Sequence, residues 1–131
     1  MFKKTILISS LISMLVGCAS AETEKRQQLE GLAKYRAGIL ASDLPIEMGA
    51  ITMIQAKAKH STVELHFLEA NEGKISLQKL VDTSENTYCN DQEIRPLLSQ
   101  GISYRIIVRS NRGQLKVDHQ ITEQTCVTKG F

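Results

Sequence analysis

The chain has 131 residues, with 16 lysines and arginines against 14 aspartates and glutamates, three cysteines and no tryptophan. This length suits one domain with one modest core and is too short for two. The near-balanced charge supplies neither the basic surface that nucleic-acid binding requires nor a lysine-rich run that would hold anionic lipid.

The start of the chain has the order of a bacterial lipoprotein signal peptide. Two lysines stand near the beginning, residues 6–16 are mostly apolar, and residues 15–18 read Leu-Val-Gly-Cys. We therefore predict a signal peptide over residues 1–17 and cleavage before Cys18. In lipoproteins with this box, the cysteine thiol carries diacylglycerol and the cysteine amine carries a third acyl chain.

Two alternatives to a lipid anchor follow from the same residues. A transmembrane anchor needs roughly twenty apolar residues, and this run has about a dozen. Ordinary secretion, with cleavage after the small residues 19–21, would leave an unlipidated periplasmic product. The position of Cys18 favours lipidation, and in both the lipidated and the secreted form the chain works beyond the cytoplasmic membrane. Loss of Lys3 and Lys4 with the signal peptide leaves 14 basic against 14 acidic residues.

The mature chain is predicted to begin with a tether and a long helix. Residues 18–27 are small and charged with no apolar period, which indicates a lipidated tether that could reach roughly 30 Å when extended. Residues 28–131 form the predicted domain. From about Glu24 to Ser42, apolar residues recur at spacings of three and four, which predicts an amphipathic helix that ends before Pro45.

A β-hairpin is predicted after this helix. Its strands cover residues 51–59 and 62–70, and the second strand alternates apolar and polar side chains. In the first strand Met53 and Ile54 are adjacent and apolar, so the sequence does not assign its inward face.

Two helices are predicted next. Ser76 can cap the first, whose apolar stripe ends beside Cys89. Residue 90 or 91 can cap the second, shorter helix. Pro96 inside that helix removes a hydrogen bond and clashes with the preceding turn, which predicts a kink or a start near Arg95.

The last third of the chain carries the clearest strand pair. Residues 102–109 and 115–121 alternate apolar with polar or charged side chains across a turn at residues 111–113. A sheet with one apolar and one charged face normally has helices on its apolar side. The sequence therefore predicts a single α+β domain with an antiparallel sheet of four or five strands, the element order α-β-β-α-α-β-β, and helices packed on one face.

Cys89 and Cys126 are left as a pair once Cys18 is assigned to the lipid. In an oxidising compartment, thiols within reach of each other usually become disulfides. A bridge that closes this loop would contribute roughly 4 kcal/mol by chain entropy. A metal site or a catalytic thiol is the alternative, but no CxxC and no regularly spaced Cys/His set exists. We predict one disulfide and no metal ligands.

Several stretches of the predicted domain carry a resemblance to a known family. Residues 35–49 read YRAGILASDLPIEMG, residues 88–89 lead to Ile94-Arg95, and further matches lie in residues 101–106 and 112–126. Together with the lipid box and the cysteine pair, these stretches resemble pilot lipoproteins (pilotins) of the type II secretion system, of the AspS or GspS-beta kind. The likeness covers roughly residues 29–127.

The resemblance implies a carrier rather than an enzyme. Pilotins of this kind bind the short C-terminal segment of the secretin subunit, which becomes helical on binding, and bring secretin to the outer membrane through the lipoprotein-sorting machinery. Ala19 fits an outer-membrane destination, because an aspartate after the lipidated cysteine is the usual inner-membrane retention signal. We thus expect an anchor in the outer membrane on its periplasmic face, and no cofactor other than the covalent lipid on Cys18.

An amphipathic peptide helix needs an apolar groove with a polar rim, and two sets of residues are candidates to line it. The first set lies beside the long helix and comprises Leu40, Ile46, Met48 and Met53. The second set lies on the charged sheet face and comprises Leu68 and Ile107 with Arg105 and Arg109, which an acidic partner helix could use. For each apolar candidate, packing in the core or scattered surface exposure is the alternative.

No catalytic residues are predicted. The only histidines are His60, His66 and His119, and no HExxH, GxSxG or glycine-rich phosphate loop accompanies them. The alternative to secretin piloting is another protein-binding function on the same scaffold, such as a periplasmic inhibitor or an envelope assembly factor.

Overall fold

A computed structural model describes residues 16–71 and 73–131, with side chains from residue 20 onward. Most of the predicted signal peptide and the side chain of Cys18 therefore lie outside the described residues. Within the described part of the chain, none of the helices combines the length and the hydropathy needed to cross a membrane.

Helices and strands alternate along the described chain in the order α1-β1-β2-β3-α2-α3-β4-β5-α4. The helices are α1 (Val16–Ser42), α2 (Leu77–Asn90), α3 (Ile94–Gln100) and α4 (Glu123–Thr128). The strands are β1 (Ile46–Met48), β2 (Ile51–Lys59), β3 (Thr62–Glu69), β4 (Ser103–Ser110) and β5 (Leu115–Ile121). The predicted α+β class and both predicted hairpins are confirmed, and β1 and α4 are additions to the predicted order.

The sheet is mixed rather than wholly antiparallel. Its strands lie in the order β1-β2-β3-β4-β5, and every neighbouring pair is antiparallel except β3 and β4, in which Thr62 lies opposite Ser103 and Glu69 opposite Ser110. The prediction of an antiparallel sheet was wrong for this pair. The physical reason is that α2 and α3 form the connection between the two strands and return the chain to the end of the sheet where β3 begins.

Helix α1 begins earlier than predicted. It runs through residues 18–27, the predicted tether. The side chains of residues 20–28 are all exposed, so packing does not hold this extension against the domain. As helix these ten residues span about 15 Å, half of the extended reach. The end of α1 at Ser42 agrees with the prediction.

The core lies between the helices and one face of the sheet. The inward residues of β3 and β4 are Val63, Leu65, Phe67, Tyr104, Ile106 and Val108. All four helices contribute to the same cluster, α1 through Ala33 and Ala37, α2 through Cys89, α3 through Leu98 and α4 through Cys126. This arrangement confirms that the helices pack on one face, and it leaves most polar side chains of the strands on the other.

A β-bulge in β2 explains why its inward face was ambiguous. The pairing passes from Met53 opposite Phe67 to Gln55 opposite His66, which leaves Ile54 without a partner residue. Met53 is buried, whereas the Ile54 side chain is exposed. One extra residue in a strand shifts the alternation, so two adjacent apolar residues come to lie in different environments.

Local capping sets the bounds of α2 and α3. The Ser76 hydroxyl accepts a hydrogen bond from the backbone N–H of Lys79, as predicted. The Asp91 carboxylate accepts hydrogen bonds from the backbone N–H groups at the start of α3, at 2.8 and 2.9 Å. Pro96 lies in the first turn of α3, where N–H groups have no partner within the helix, so α3 accommodates it.

The predicted disulfide joins Cys89 in α2 to Cys126 in α4, with the two Cα atoms 5.4 Å apart. Helix α4 begins with a capping box in which Thr122 and Thr125 exchange side-chain and backbone hydrogen bonds. The bridge therefore fastens a six-residue helix, too short to be stable alone, to the main body of the domain.

Candidate binding cleft

An open cleft of about 400 Å³ lies where the β1–β2 edge of the sheet faces the start of α2. Four of its lining residues are apolar, namely Met48, Ile51, Ile75 and Leu80. The others are Lys74, Ser76, Lys79 and Thr83, so every charged residue in this lining is a lysine. We refer to this surface as the β1–α2 cleft.

Three parts of the sequence meet at this cleft. A two-residue turn with Gly49 at a φ of 69° folds β1 back onto β2, where Met48 pairs with Ile51. The segment after β3 then leads to Ser76, whose cap fixes the start of α2 and the position of Leu80. The cleft opens in this region because the two long helices lie over different strands, α1 over β2 and β3 and α2 over β5.

Burial of the apolar lining residues decreases from the floor of the cleft to its rim. Ile51 belongs to the buried core, and Ile75 and Leu80 are partly buried and pack against that core. Met48 lies on the rim and exposes 44% of its surface. A bound apolar side chain could therefore contact the core through the floor while Met48 covers it from the side.

The structure places the four candidates beside the long helix in different environments. Met48 lines the cleft, while Leu40 and Ile46 are partly buried against the core. Met53 is buried opposite Phe67 and is not available to a partner. Ile51, Ile75 and Leu80 are not among the predicted lining residues, because no sequence periodicity relates an edge strand to a helix about 25 residues later.

On the open face of the sheet, the charged candidate Arg105 is already paired within the domain. Its guanidinium donates two hydrogen bonds to the Asp118 carboxylate, at 2.7 and 2.6 Å, and a third to Glu64 at 3.1 Å. Hydrogen bonding from Arg105 lowers the pKa of Asp118. Burial opposes ionisation of Glu64, but a hydrogen bond with His66 and the charges of Arg105 and Lys57 together lower its pKa.

The apolar candidates on the same face are largely covered. Ile107 exposes only 5% of its surface although it lies on the polar face, and Leu68 is partly buried. Long polar side chains on neighbouring strands can cover an apolar residue in this way. Arg109 is exposed and donates a hydrogen bond to the carbonyl of Gly113. This face therefore offers a partner less apolar surface than the β1–α2 cleft.

A second cavity, of about 410 Å³, lies between α2 and β5 and is polar. Its floor carries the buried carboxylate of Glu85, which hydrogen bonds to His119 at 2.7 Å and forms an ion pair with Lys129. Within the described residues, no group of His, Cys, Asp and Glu is arranged to hold a metal ion. The charged groups of this network pair with one another, whereas half of the residues that line the β1–α2 cleft are apolar.

A single disulfide-linked α+β domain with a lysine-edged apolar cleft has the architecture of a protein-binding module. Residues 25–126 match the family described as type II secretion system (T2SS) pilotin, S protein. This chain belongs to that pilotin family, as the resemblance in the sequence predicted.

Named relatives agree with this assignment. The chain is 27% identical over 128 residues to Pilotin AspS 2 of Escherichia coli O78:H11, covering 92% of this chain and 90% of that protein. It is 37% identical to the solved EpsS pilotin of the Vibrio vulnificus type 2 secretion system, with a TM-score of 0.75 over 79% of this chain and 96% of that chain. The fold also matches a chain in the ETEC pilotin–secretin complex AspS-GspD, at 21% identity and a TM-score of 0.51 over 72% of this chain and 88% of that chain.

Proposed function

We propose that this chain binds the C-terminal segment of a type II secretion secretin in the β1–α2 cleft and pilots secretin to the outer membrane. Membership of the pilotin family supports the role, and a relative with this fold occurs in a complex with secretin. The cleft itself is the observation that supports this location, since its apolar floor continues into the core and its rim is polar apart from Met48.

The cleft suits one face of a peptide helix. A volume of about 400 Å³ lies within the range of roughly 300–1,000 Å³ typical of small-ligand sites. It can therefore take a few side chains from the apolar stripe of a helix while the rest of that helix stays outside. Binding energy in such interfaces comes mainly from a few well-buried anchors, so affinity does not require a long groove.

The anchor is part of the same proposal. Acyl chains on Cys18 would hold the chain in the outer membrane on its periplasmic face, after transport by the lipoprotein-sorting machinery. Helix α1 includes residue 18 and continues into the domain without a break. A lipid at this position would thus be joined to the domain by helix rather than by extended chain.

Paired substitutions test the cleft. Met48 and Ile54 have nearly the same exposure, 44% and 45%, but only Met48 lines the cleft. Full burial of a methionine contributes about 1.5–3 kcal/mol, so covering the exposed part of Met48 contributes about 1 kcal/mol. Met48→Glu removes this contact and adds the cost of desolvating a carboxylate, and we expect it to raise Kd for the secretin C-terminal peptide at least tenfold.

Isothermal titration calorimetry with that synthetic peptide measures the effect. Ile54→Glu is the matched control, because it places the same charge at an equally exposed site outside the cleft. Its Kd should stay within about twofold of the unsubstituted domain. Equal affinity of the two variants would place the site elsewhere, and an unsubstituted domain that does not bind the peptide would refute secretin recognition.

A cellular experiment tests the anchor. Cys18→Ser should leave an unlipidated protein, and secretin should then accumulate away from the outer membrane. Membrane fractionation followed by detection of secretin measures the outcome, and a lipidation assay confirms that the acyl chains are absent. Normal secretin placement in this variant contradicts the carrier role.

A further inference from the structure

The β1–α2 cleft is electrostatically one-sided. Lys74 and Lys79 are both exposed in its lining, and none of the described residues that line it is acidic. Lys57 and Lys129 each form an ion pair with a glutamate of the domain, Glu64 and Glu85 respectively. Within the part of the chain that the structure describes, the ammonium groups of Lys74 and Lys79 have no such partner.

Helix α2 separates its charges by side. Asp82 and Glu85 face the polar cavity beside β5, whereas Lys79 and Thr83 face the cleft. The first turn of α2 contains no acidic residue, so no carboxylate of that turn offsets the positive end of the helix dipole. A segment in the cleft therefore meets positive charge both from the N-terminal end of the α2 dipole and from the two lysines.

Resting on the secretin-binding function proposed above, we propose that the cleft selects a segment with carboxylates beside its apolar stripe. In this proposal the ammonium groups of Lys74 and Lys79 form ion pairs with those carboxylates. Lys79 and Leu80 both line the cleft, so a partner helix that buries an apolar side chain near Leu80 brings its neighbouring positions close to the Lys79 ammonium. Side chains three or four positions away on that partner helix lie on the same side as its apolar contact.

The cost of desolvating the two lysines determines which partner helices the cleft favours. A helix that covers the cleft removes water from the two lysines, and a covered ammonium without an acceptor is unfavourable. A partner with carboxylates compensates this loss, whereas a partner with only apolar or basic flanks does not. Complementary charge at an interface also accelerates association and suppresses wrong partners. The cleft thus discriminates between amphipathic helices that have equally apolar stripes.

The test uses charge-matched double variants of the domain. Lys74→Gln/Lys79→Gln removes both cleft lysines, and Lys34→Gln/Lys59→Gln removes two exposed lysines outside the cleft. The probes are the secretin C-terminal peptide and the same peptide with its acidic residues changed to their amides. Kd is measured by fluorescence anisotropy at 50 and 300 mM NaCl, and thermal melting confirms that each variant is folded.

We expect the cleft variant to bind the acidic peptide about tenfold more weakly at 50 mM NaCl, with a smaller loss at 300 mM because salt screens exposed charges. It should also lose the preference for the acidic peptide over the amide peptide, while the control variant keeps it. Unchanged affinity, salt dependence and preference in the cleft variant would overturn the inference, and the secretin proposal would stand if Met48→Glu still raises Kd at least tenfold. Failure of the unsubstituted domain to bind either peptide would overturn both.

Discussion

Removal of the Cys89–Cys126 disulfide should cost this domain a large share of its stability. The bridge closes a loop with a sequence separation of 37, for which the chain-entropy relation gives about 4 kcal/mol. Small domains have free energies of unfolding of about 5–15 kcal/mol in total. We expect Cys89→Ala/Cys126→Ala to lower the free energy of unfolding by about 3–5 kcal/mol, since alanine also leaves a small void at two buried sites.

Urea unfolding followed by far-ultraviolet circular dichroism measures this change. The oxidised domain with Cys18→Ser is the reference, and the same domain with reductant should approach the stability of the double alanine variant. Reductant should not alter the double variant itself. The two 3.0 Å hydrogen bonds from Arg95 to Glu123 do not involve the bridge, so neither reductant nor the alanine substitutions remove their donor or acceptor. A loss below about 1 kcal/mol would refute the view that the bridge, rather than packing and ion pairs, holds α4 in place.

Two further predictions concern stability, one from the ion pairs of Arg105 and one from the exposed start of helix α1. Arg105 helps to lower the pKa values of Asp118 and Glu64 in the folded domain. The two carboxylates therefore contribute fully to stability above their unfolded-state pKa values, which lie near pH 4. This contribution is lost as pH falls through their folded-state pKa values. Arg105→Gln should therefore reduce the urea midpoint at pH 7 much more than at pH 2, and an equal reduction at both pH values contradicts this account. Glu24→Pro should lower helical ellipticity but leave the urea midpoint unchanged, because residues 20–28 are exposed; a lower midpoint would show that this extension supports the core.

Local features were predictable because short stretches determine them. The cap at Ser76, the stop before Pro45 and the alternation in β4 and β5 each depend on neighbours within a few residues. Strand β1 has only three residues, which is too short for any periodicity to indicate it. The parallel pairing of β3 with β4 depends on the path of α2 and α3 across the sheet, which no alternation pattern encodes.

Candidate site residues were less predictable because exposure depends on tertiary neighbours. Ile107 lies between two arginines in the sequence, which suggested an exposed apolar residue, but the surrounding side chains bury it. Met53 could not be separated from Ile54 without knowledge of the bulge. Met48 was proposed and does line the cleft, but Ile75 and Leu80 come from a different part of the chain and approach it only through folding.

Anchor and cleft lie toward opposite ends of α1. Strand β1 follows within four residues of the end of α1 and carries Met48, whereas Cys18 lies near its start. The helix from residue 18 to residue 42 is about 36 Å long at 1.5 Å per residue. Under the function proposed above, lipid on Cys18 and a secretin helix in the cleft would lie toward opposite ends of α1, so an upright α1 would hold that secretin helix away from the bilayer surface. In that arrangement the secretin helix would keep its apolar stripe in the cleft, out of water, without entering the lipid. Escort of an amphipathic segment across an aqueous compartment requires this.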